Sequence, residues 1–414
     1  MADFIFRNIR WIGVGFLLCF FSGFGQTFFI SLSNEHLRQS LSLSHAQFGG
    51  IYAIATLCSA FAMSQFGYVT DVWSVRKSAL ITLTGLVSAC FLMAFADLSV
   101  ILLFAAILGL RLFGQGFPGH VAFTAAGKWF SVNRGKAISL VGMGFPLSEV
   151  VFPLFGASLI ALIGFTQMWG LAGALVLCLA MPGIYVLLRQ DRHPVGSGED
   201  AEEYDKSGIS VVQWRRRDVV RRPEFYLVNI AVLCPPFMVT AFFFHQQHLA
   251  AIKDWPLSAI VGSMAFFAGF QIVAKLVTGV LIDKWSAKAL LPFYLFPLAI
   301  GLSLPFLTNL IVFVPLVLGL LGMSAGISAT LLGVLWPELF GSRYLGEIRS
   351  LTYAAMVAST AISPFLTGYL IDMGLGFDVQ LMIFGGFCIL ASVVMFLIQP
   401  GLARLNGRLN NTVE

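Results

Sequence analysis

The chain has 414 residues, of which 58% are hydrophobic and only 11% are charged, and its mean hydropathy is +0.87. Soluble domains carry about 25% charged residues, so this composition excludes a water-soluble globular protein and predicts an integral membrane protein in a lipid bilayer. The formal net charge of +5 does not indicate nucleic acid as a partner, because the basic residues fall in loops between apolar segments.

Twelve segments are apolar enough to cross a bilayer, which takes about 20 residues. The first follows two arginines and is long for a signal-peptide core, so we expect it to be retained. The predicted spans are 11–32, 46–70, 77–96, 98–127, 134–163, 165–188, 224–250, 256–282, 287–306, 309–340, 345–374 and 377–399. We therefore predict an all-α membrane protein with two six-helix bundles, 1–188 and 223–414, joined by a polar cytoplasmic linker at 189–222.

A short polar turn occurs twice, about half a chain length apart. GYVTDVWSVRK at 67–77 and GVLIDKWSAK at 279–288 share a glycine, an aspartate, a Trp-Ser pair and a cation at matching positions. Similarly, GLRLFGQG at 109–116 aligns with GLLGMSAG at 319–326. Such a repeat predicts two homologous halves. Because each half has an even number of spans, this is a parallel repeat, and we expect a substrate site between the halves near the bilayer midplane.

The sequence lacks the motifs of nucleotide-driven pumps and of zinc peptidases. There is no P-loop or HExxH motif and no cluster of carboxylates, so we expect neither an enzyme nor an ATP-driven pump. The cysteines lie inside apolar runs without metal-site or CxxC spacing, which predicts packing roles, no metal and no cofactor. They are Cys19, Cys58, Cys90, Cys178, Cys234 and Cys388.

The placement of lysine and arginine predicts the orientation, because cytoplasmic loops are enriched in both. With the amino terminus inside, nearly all of them fall on the cytoplasmic side. The exceptions are Arg38 and Lys253, which lie outside, and Arg111 and Lys275, which lie within spans. We expect both termini in the cytoplasm, location in the plasma membrane (a bacterial inner membrane), and a monomer.

The two turns resemble the loop motif of the major facilitator superfamily, a G-x-x-x-D-(R/K)-x-G-(R/K)-(R/K)-like segment after helix 2 that is echoed after helix 8. The matching residues are Gly67, Asp71, Arg76 and Lys77 in the first copy and Gly279, Asp283, Lys284 and Lys288 in the second. The chain departs from the motif at Val72, where a cation is common, and at Ser74 and Ser286, where glycine is usual.

This resemblance covers the whole chain and implies the twelve-helix fold of that family, with secondary transport by alternating access. It also implies that both turns are gating loops, in which the aspartate approaches the amino-terminal end of helix 11. A carboxylate is stabilised at a helix amino terminus, so such a latch is physically reasonable. Alternatively, Asp71 and Asp283 only cap their turns.

A narrower likeness is to the branch of monocarboxylate porters and oxalate/formate-type antiporters. It rests on RLFGQG in helix 4, KWFSVNRGKA at 128–137, and Lys275, which stands four residues before Gly279. Arginine is the commoner residue at that place in helix 8. The likeness favours a small organic anion as the substrate.

Two cations lie at bilayer depth, Arg111 near the middle of helix 4 and Lys275 toward the cytoplasmic third of helix 8. A charge there costs about 2.5 kcal/mol or more, so such residues face a cavity or a partner. They are the leading candidates for substrate binding. The other candidates are Gln115 and Gln271, each one helical turn from a cation, Gln26 in helix 1, and His245 near the outer end of helix 7.

Glu149 in helix 5 is an acid at comparable depth. One interpretation is an ion pair with Arg111, which would leave Lys275 without an evident acid in the membrane and favour an anionic ligand. Glu149 and His120 are also candidates for proton coupling, although a lone intramembrane histidine is often a packing residue.

The sequence therefore predicts a secondary transporter for a small organic anion, working by proton coupling or by exchange. Two alternatives stay open. One is a facilitator for a neutral or cationic small molecule, including drug efflux. The other is a membrane sensor that binds its ligand on the same scaffold without transporting it.

Overall fold

The structure is a computed structural model and describes residues 2–67, 69–130, 134–189, 214–341 and 344–407. It consists of two compact units, Met1–Ser207 and Gly208–Glu414. The boundary falls inside the predicted linker, most of which lies outside the described residues. In the described part of the chain, all regular secondary structure is helical.

Eleven of the described helices are long and apolar enough to cross a membrane, and a shorter apolar helix completes two sets of six. This confirms the predicted all-α fold class with twelve helices. We number these helices α1 to α12 in chain order: Ile5–Gly25, His45–Phe66, Val75–Ala94, Val100–Gly127, Ala137–Ile163, Phe165–Leu187, Pro223–Phe244, Leu257–Ile282, Phe296–Leu307, Ile311–Phe340, Leu351–Asp372 and Phe377–Leu397. The first six belong to the first unit and the last six to the second.

Several spans are the apolar parts of longer helices. The helix that contains α1 begins at Ala2, that of α8 extends to Trp285, and that of α11 begins at Leu345. Short helices also lie beside the spans, including Val69–Val72 after α2, Arg216–Val219 before α7, Gln246–Ile252 after α7, Ala287–Leu290 after α8 and Gln399–Gly407 after α12.

The first span ends earlier than the predicted 11–32. The helix tightens over Ser22–Gly25 and breaks at Gln26, whose backbone is extended with φ −83° and ψ 151°. The break lies where α1 crosses α4, because a Cβ added to Gly25 would lie only 2.5 Å from the Cα of Gly114. A count of apolar residues cannot detect this break, since it depends on two glycine backbones in contact.

The predicted helix 287–306 is also wrong in part, because residues 291–295 form a turn that separates Ala287–Leu290 from α9. Pro292 and Pro297 explain the interruption, since proline lacks the backbone N–H that a continuous helix needs. Apolar content alone made the segment look continuous. The shorter α9 is the result.

Helices α8 and α10 pack with their backbones in contact. A Cβ on Gly322 would lie 2.0 Å from the carbonyl oxygen of Phe267, and one on Gly326 would lie 2.3 Å from that of Gln271. Small residues permit such close approach between membrane helices. The glycines of α10 therefore fix the position of the part of α8 that carries Gln271 and Lys275.

Helix α11 is bound to α7 by two serines one turn apart. The hydroxyl of Ser363 donates to the carbonyl oxygen of Phe237 at 2.6 Å, and that of Ser359 donates to Leu233 at 3.4 Å. These carbonyls flank Pro235-Pro236 in the middle of α7. The prolines leave the carbonyls of Ala231 and Val232 without their helix donors, and the two serine bonds join α11 to α7 on either side of this interruption.

Candidate functional site

Arg111 is buried in the middle of α4, with 3% of its surface exposed. It belongs to a π-helical stretch, Leu110–Gly116, and such widened turns are frequent at functional sites. Its Nη1 lies 3.5 Å from the carbonyl oxygen of Gly25 and 3.5 Å from Oγ1 of Thr27. The guanidinium therefore faces the break that follows α1.

Tyr52 of α2 completes this arrangement. Its side chain is fully buried, its hydroxyl lies 2.6 Å from Oγ1 of Thr27, and its ring centroid lies 5.2 Å from the guanidinium carbon of Arg111. The face of an aromatic ring attracts a cation and lowers the cost of burying it. We call Arg111, Thr27, Tyr52 and the Gly25 carbonyl the α4 cationic centre.

Two predicted site residues lie beside this centre. Gln115 is half-buried in the same π-helical stretch, and its backbone nitrogen would lie 2.7 Å from a Cβ on Gly25. Gln26 is half-buried at the break itself. The crossing of α1 and α4 thus brings together three of the predicted residues, namely Arg111, Gln115 and Gln26.

Thr27 and Tyr52 were not among the site residues predicted from the sequence. Neither residue is charged, and each lies in an apolar run of a predicted span. The only available signal was the position of Thr27 next to Gln26. Glu149 is half-buried on α5, and its ion pair with Arg111 and its role in proton coupling stay predictions.

Lys275 lies in the last third of α8 and is half-buried, while Gln271, one turn earlier, is 8% exposed. The Oγ1 of Thr330 in α10 donates to the carbonyl oxygen of Lys275 at 3.4 Å. The same face of α8 meets Gly326, so α10 holds the backbone of both predicted residues in place. This is the cation of the second unit.

His245 follows the end of α7, where the predicted helix 224–250 is interrupted. The residue is 3% exposed, its Nε2 lies 3.3 Å from the carbonyl oxygen of Pro364, and its ring centroid lies 5.2 Å from that of Phe377. It is enclosed among α7, α11 and α12. This packing favours a structural role, and substrate binding by His245 stays a prediction.

We call residues 67–77 the first elbow. The side chain of Asp71 lies outside the described part of the structure. The guanidinium carbon of Arg76 lies 4.1 Å from the ring centroid of Tyr185 in α6, and Nζ of Lys77 lies 4.3 Å from that of Trp73. Both cations of this elbow therefore lie on aromatic faces within the first unit.

His120 of α4 contacts the start of the first elbow. Its Nε2 lies 3.0 Å from the carbonyl oxygen of Gly67 and 3.0 Å from Oγ1 of Thr70, and the Thr70 hydroxyl donates to the same carbonyl at 3.0 Å. The imidazole therefore joins α4 to the end of α2. These contacts favour a structural role for His120, and its part in proton coupling stays a prediction.

We call residues 279–288 the second elbow. Near its end Ser286 has φ +85° and ψ 155°, a region that is essentially restricted to glycine. Glu338 of α10 accepts a hydrogen bond of 2.8 Å from the Ala287 N–H, and its other oxygen lies 4.0 Å from Nζ of Lys288. Glu338 thereby holds the turn that follows Ser286.

Two other predicted residues of the second elbow, Lys284 and Gly279, have open surroundings. Lys284 is exposed, and a Cβ added to Gly279 would meet no atom within 4 Å. The side chain of Asp283 lies outside the described residues. Within the described ranges, no group of three or more His, Cys, Asp or Glu residues could hold a metal ion.

The sequence profile of the Major Facilitator Superfamily matches residues 15–347. The chain belongs to the major facilitator superfamily. The family resemblance predicted from the elbows is therefore confirmed, and this major facilitator is a transporter in a membrane, with a small-molecule substrate, rather than an enzyme. The particular likeness to monocarboxylate porters and oxalate/formate-type antiporters stays a prediction.

Solved structures of a bacterial homologue of the human lysosomal transporter Spinster are similar to this major facilitator. In the inward-facing and occupied conformation the TM-score is 0.67 at 14% identity, covering 97% of this chain and 98% of that chain. In the inward-facing and unoccupied conformation the TM-score is 0.67 at 14% identity, covering 95% and 98%. At this identity the likeness concerns the fold. No curated protein matches the sequence.

Proposed function

We propose that this major facilitator is a secondary transporter that moves a small organic anion, such as a monocarboxylate, by alternating access. The observation that supports the anionic substrate is Arg111, a guanidinium that is 3% exposed in the middle of α4. Cations at bilayer depth are costly and mark substrate pathways. A guanidinium also has the fork of donors that matches a carboxylate.

The surroundings of Arg111 suit this role. The hydroxyls of Thr27 and Tyr52 lie 2.6 Å apart beside the guanidinium, so the α4 cationic centre combines a charge with neutral hydrogen-bonding groups. It also lies at the interrupted backbone of Gln26. Interrupted helices at membrane depth are tolerated where they are buried or line a cavity, and transporters use them in binding sites.

Lys275 is the second cation that we assign to substrate binding, with Gln115, Gln271 and Gln26 as neutral partners. One of the two proposed cations therefore lies in each unit. We propose Glu149 as the group that couples a proton to transport. If the transport rate does not change when a pH gradient is imposed, proton coupling is excluded, and exchange or uniport are the remaining mechanisms.

The experiment begins with a thermal-shift screen of mono- and dicarboxylates on the purified protein, followed by counterflow of the hits in proteoliposomes. The variants are Arg111→Gln, Arg111→Lys and Lys275→Gln, with Arg189→Gln as the control, because Arg189 is an exposed cation. Losing a charged hydrogen bond to the substrate should raise KM about tenfold or more. We expect this for Arg111→Gln and Lys275→Gln, a smaller rise for Arg111→Lys, and none for Arg189→Gln.

Three outcomes would contradict the proposal. Unchanged KM in both Arg111→Gln and Lys275→Gln would remove these residues from the substrate site. Hits that are all neutral or cationic would favour a facilitator for such molecules, including drug efflux. Ligand binding without flux in the wild-type protein would favour a membrane sensor.

We also propose that the protein lies in the plasma membrane with both termini in the cytoplasm. Support comes from the basic residues that flank the spans, such as Arg215, Arg216 and Arg217 ahead of α7. A reporter that is active only in the cytoplasm, fused after Glu414, should be active. In intact cells, an impermeant thiol reagent should label the cysteine of an Asp254→Cys variant. Absence of labelling at this position would indicate the opposite orientation.

A further inference from the structure

A cavity of about 270 Å³ lies within the first unit, between α2, α3, α4 and the first elbow. Its wall is mostly apolar and includes Phe113 and Trp73, and two of its lining residues, Phe66 and Ile81, are 55% and 42% exposed. An apolar cavity of about 150 Å³ stays dry and admits apolar guests. The larger cavity here therefore suits hydrocarbon from the surrounding bilayer.

One residue of the wall has a buried hydroxyl that lacks a partner among the described residues. Ser78 of α3 lines the cavity at 5% exposure, and its hydroxyl makes no hydrogen bond. The other two hydroxyls of the wall are bonded, that of Thr70 to the carbonyl of Gly67 and that of Thr82 to the carbonyl of Ser78. A buried hydroxyl without an acceptor is uncommon in native structures, so Ser78 points to an occupant that supplies one.

A cation lies beside one of the residues that line the cavity. Nζ of Lys77 is 4.3 Å from the ring centroid of Trp73, and Trp73 lines the cavity. Lys77 also precedes Ser78 in the chain. The cavity therefore has near it a hydroxyl that lacks an acceptor and, one residue away in the chain, a positive charge.

We propose that the cavity binds one acyl chain of an anionic membrane phospholipid. That lipid carries a matching set of groups, in which the hydrocarbon chain is followed by an ester carbonyl and then by a phosphate. The chain fills the space beside Phe113, the ester carbonyl accepts a hydrogen bond from Ser78, and the phosphate lies near Lys77. This lipid remains bound and is distinct from the transported anion. It fastens the first elbow to α3, so its presence stabilises the first unit.

The occupant can be tested with phosphatidylglycerol that carries a photoactivatable diazirine in its acyl chain. The full-length protein in detergent is irradiated with this lipid, and labelled peptides are mapped by mass spectrometry. We expect labelling of α2, α3 or α4 next to the cavity. Ala62→Leu, which fills the cavity from α2, should abolish it. Ala60→Leu is the matched control, because Ala60 is on the same helix and does not line the cavity, and it should leave labelling unchanged.

Ser78→Ala should affect thermal stability differently in the absence and in the presence of lipid. In delipidated protein it should leave the melting temperature unchanged or raise it, since it removes a hydroxyl without an acceptor. With added phosphatidylglycerol the wild-type protein should gain more thermal stability than this variant. Lys77→Gln should lower the preference for phosphatidylglycerol over phosphatidylcholine about fivefold, the effect of one basic residue near an anionic lipid.

Several results would overturn the proposal. They are the absence of labelling near the cavity in the wild-type protein, equal labelling in Ala62→Leu, and equal stabilisation of Ser78→Ala and wild type by the lipid. If soluble glycerol 3-phosphate reduces the photolabelling as effectively as unlabelled phosphatidylglycerol does, the site binds a phosphate group alone. Labelling displaced by apolar small molecules but not by phospholipid would indicate a different ligand.

Discussion

Replacing Gly322 of α10 by alanine should separate α10 from α8. A Cβ at this position would lie 2.0 Å from the carbonyl oxygen of Phe267, and further backbone atoms of Phe267 lie at 2.7 Å and 2.8 Å. Ordinary contacts of a Cβ begin at 3.4 Å, so the helices would have to move apart by about 1.4 Å. The neighbouring atoms belong to a helix backbone and cannot turn aside as a side chain would.

Overpacking of this kind typically costs about 1–3 kcal/mol. For a unit of this size, each kcal/mol corresponds to roughly 2–4 °C in melting temperature. Gly333 supplies the matched control on the same helix, because a Cβ there meets no atom within 4 Å. Gly333→Ala should be neutral or stabilise the helix by up to about 1 kcal/mol, since glycine is a poor helix residue.

The assay is the melting temperature of each purified variant in one detergent, followed by transport in proteoliposomes. Gly322→Ala should melt lower and should also transport less, because Lys275 lies on the helix that is displaced. Gly333→Ala should melt at the wild-type temperature or above. Equal melting temperatures for the two variants would refute the backbone contact between α8 and α10.

Three other substitutions test local contacts. Ser286→Gly should raise the melting temperature by an amount that corresponds to about 1 kcal/mol. The backbone conformation at this position costs a serine about 1–3 kcal/mol, whereas glycine adopts it without strain, so Ser286→Ala should not raise the melting temperature. Lys253→Met should lower the free energy of unfolding by about 1–3 kcal/mol, since this buried ammonium contacts Asp378 at 2.8 Å. In a double-mutant cycle, the variant with both Lys253→Met and Asp378→Asn should lose less stability than the sum of the two single variants. Ser363→Ala should lower the melting temperature by the equivalent of about 1 kcal/mol through loss of its bond to α7, and no change would contradict that bond.

The fold was largely predictable because apolar segments of sufficient length have few alternatives to a membrane helix. The errors arose where a helix ends or breaks for local reasons. Pro292 and Pro297 were visible in the sequence and could have placed the turn before α9. The break at Gln26 was not accessible in that way, since it depends on Gly25 meeting Gly114 from another helix.

The candidate site was predictable to the extent that it depends on charge. Arg111 and Lys275 could be selected because a cation within an apolar segment is energetically costly unless it faces a cavity or a partner. The neutral members Thr27 and Tyr52 could not, because a threonine or tyrosine in a span has no unusual cost. Similarly, the buried contacts of His245 depend on α11 and α12, which the local sequence does not reveal.

The contact of Gly25 with Gly114 limits how the sequence can diverge. A larger residue on either helix would collide with the backbone of the other, so a change at one position needs a compensating shift at both. Two sites that are far apart in the gene are therefore subject to a single constraint. Among close relatives we expect glycine at both sites. A relative that lacks either glycine should also have substitutions at neighbouring positions of both helices.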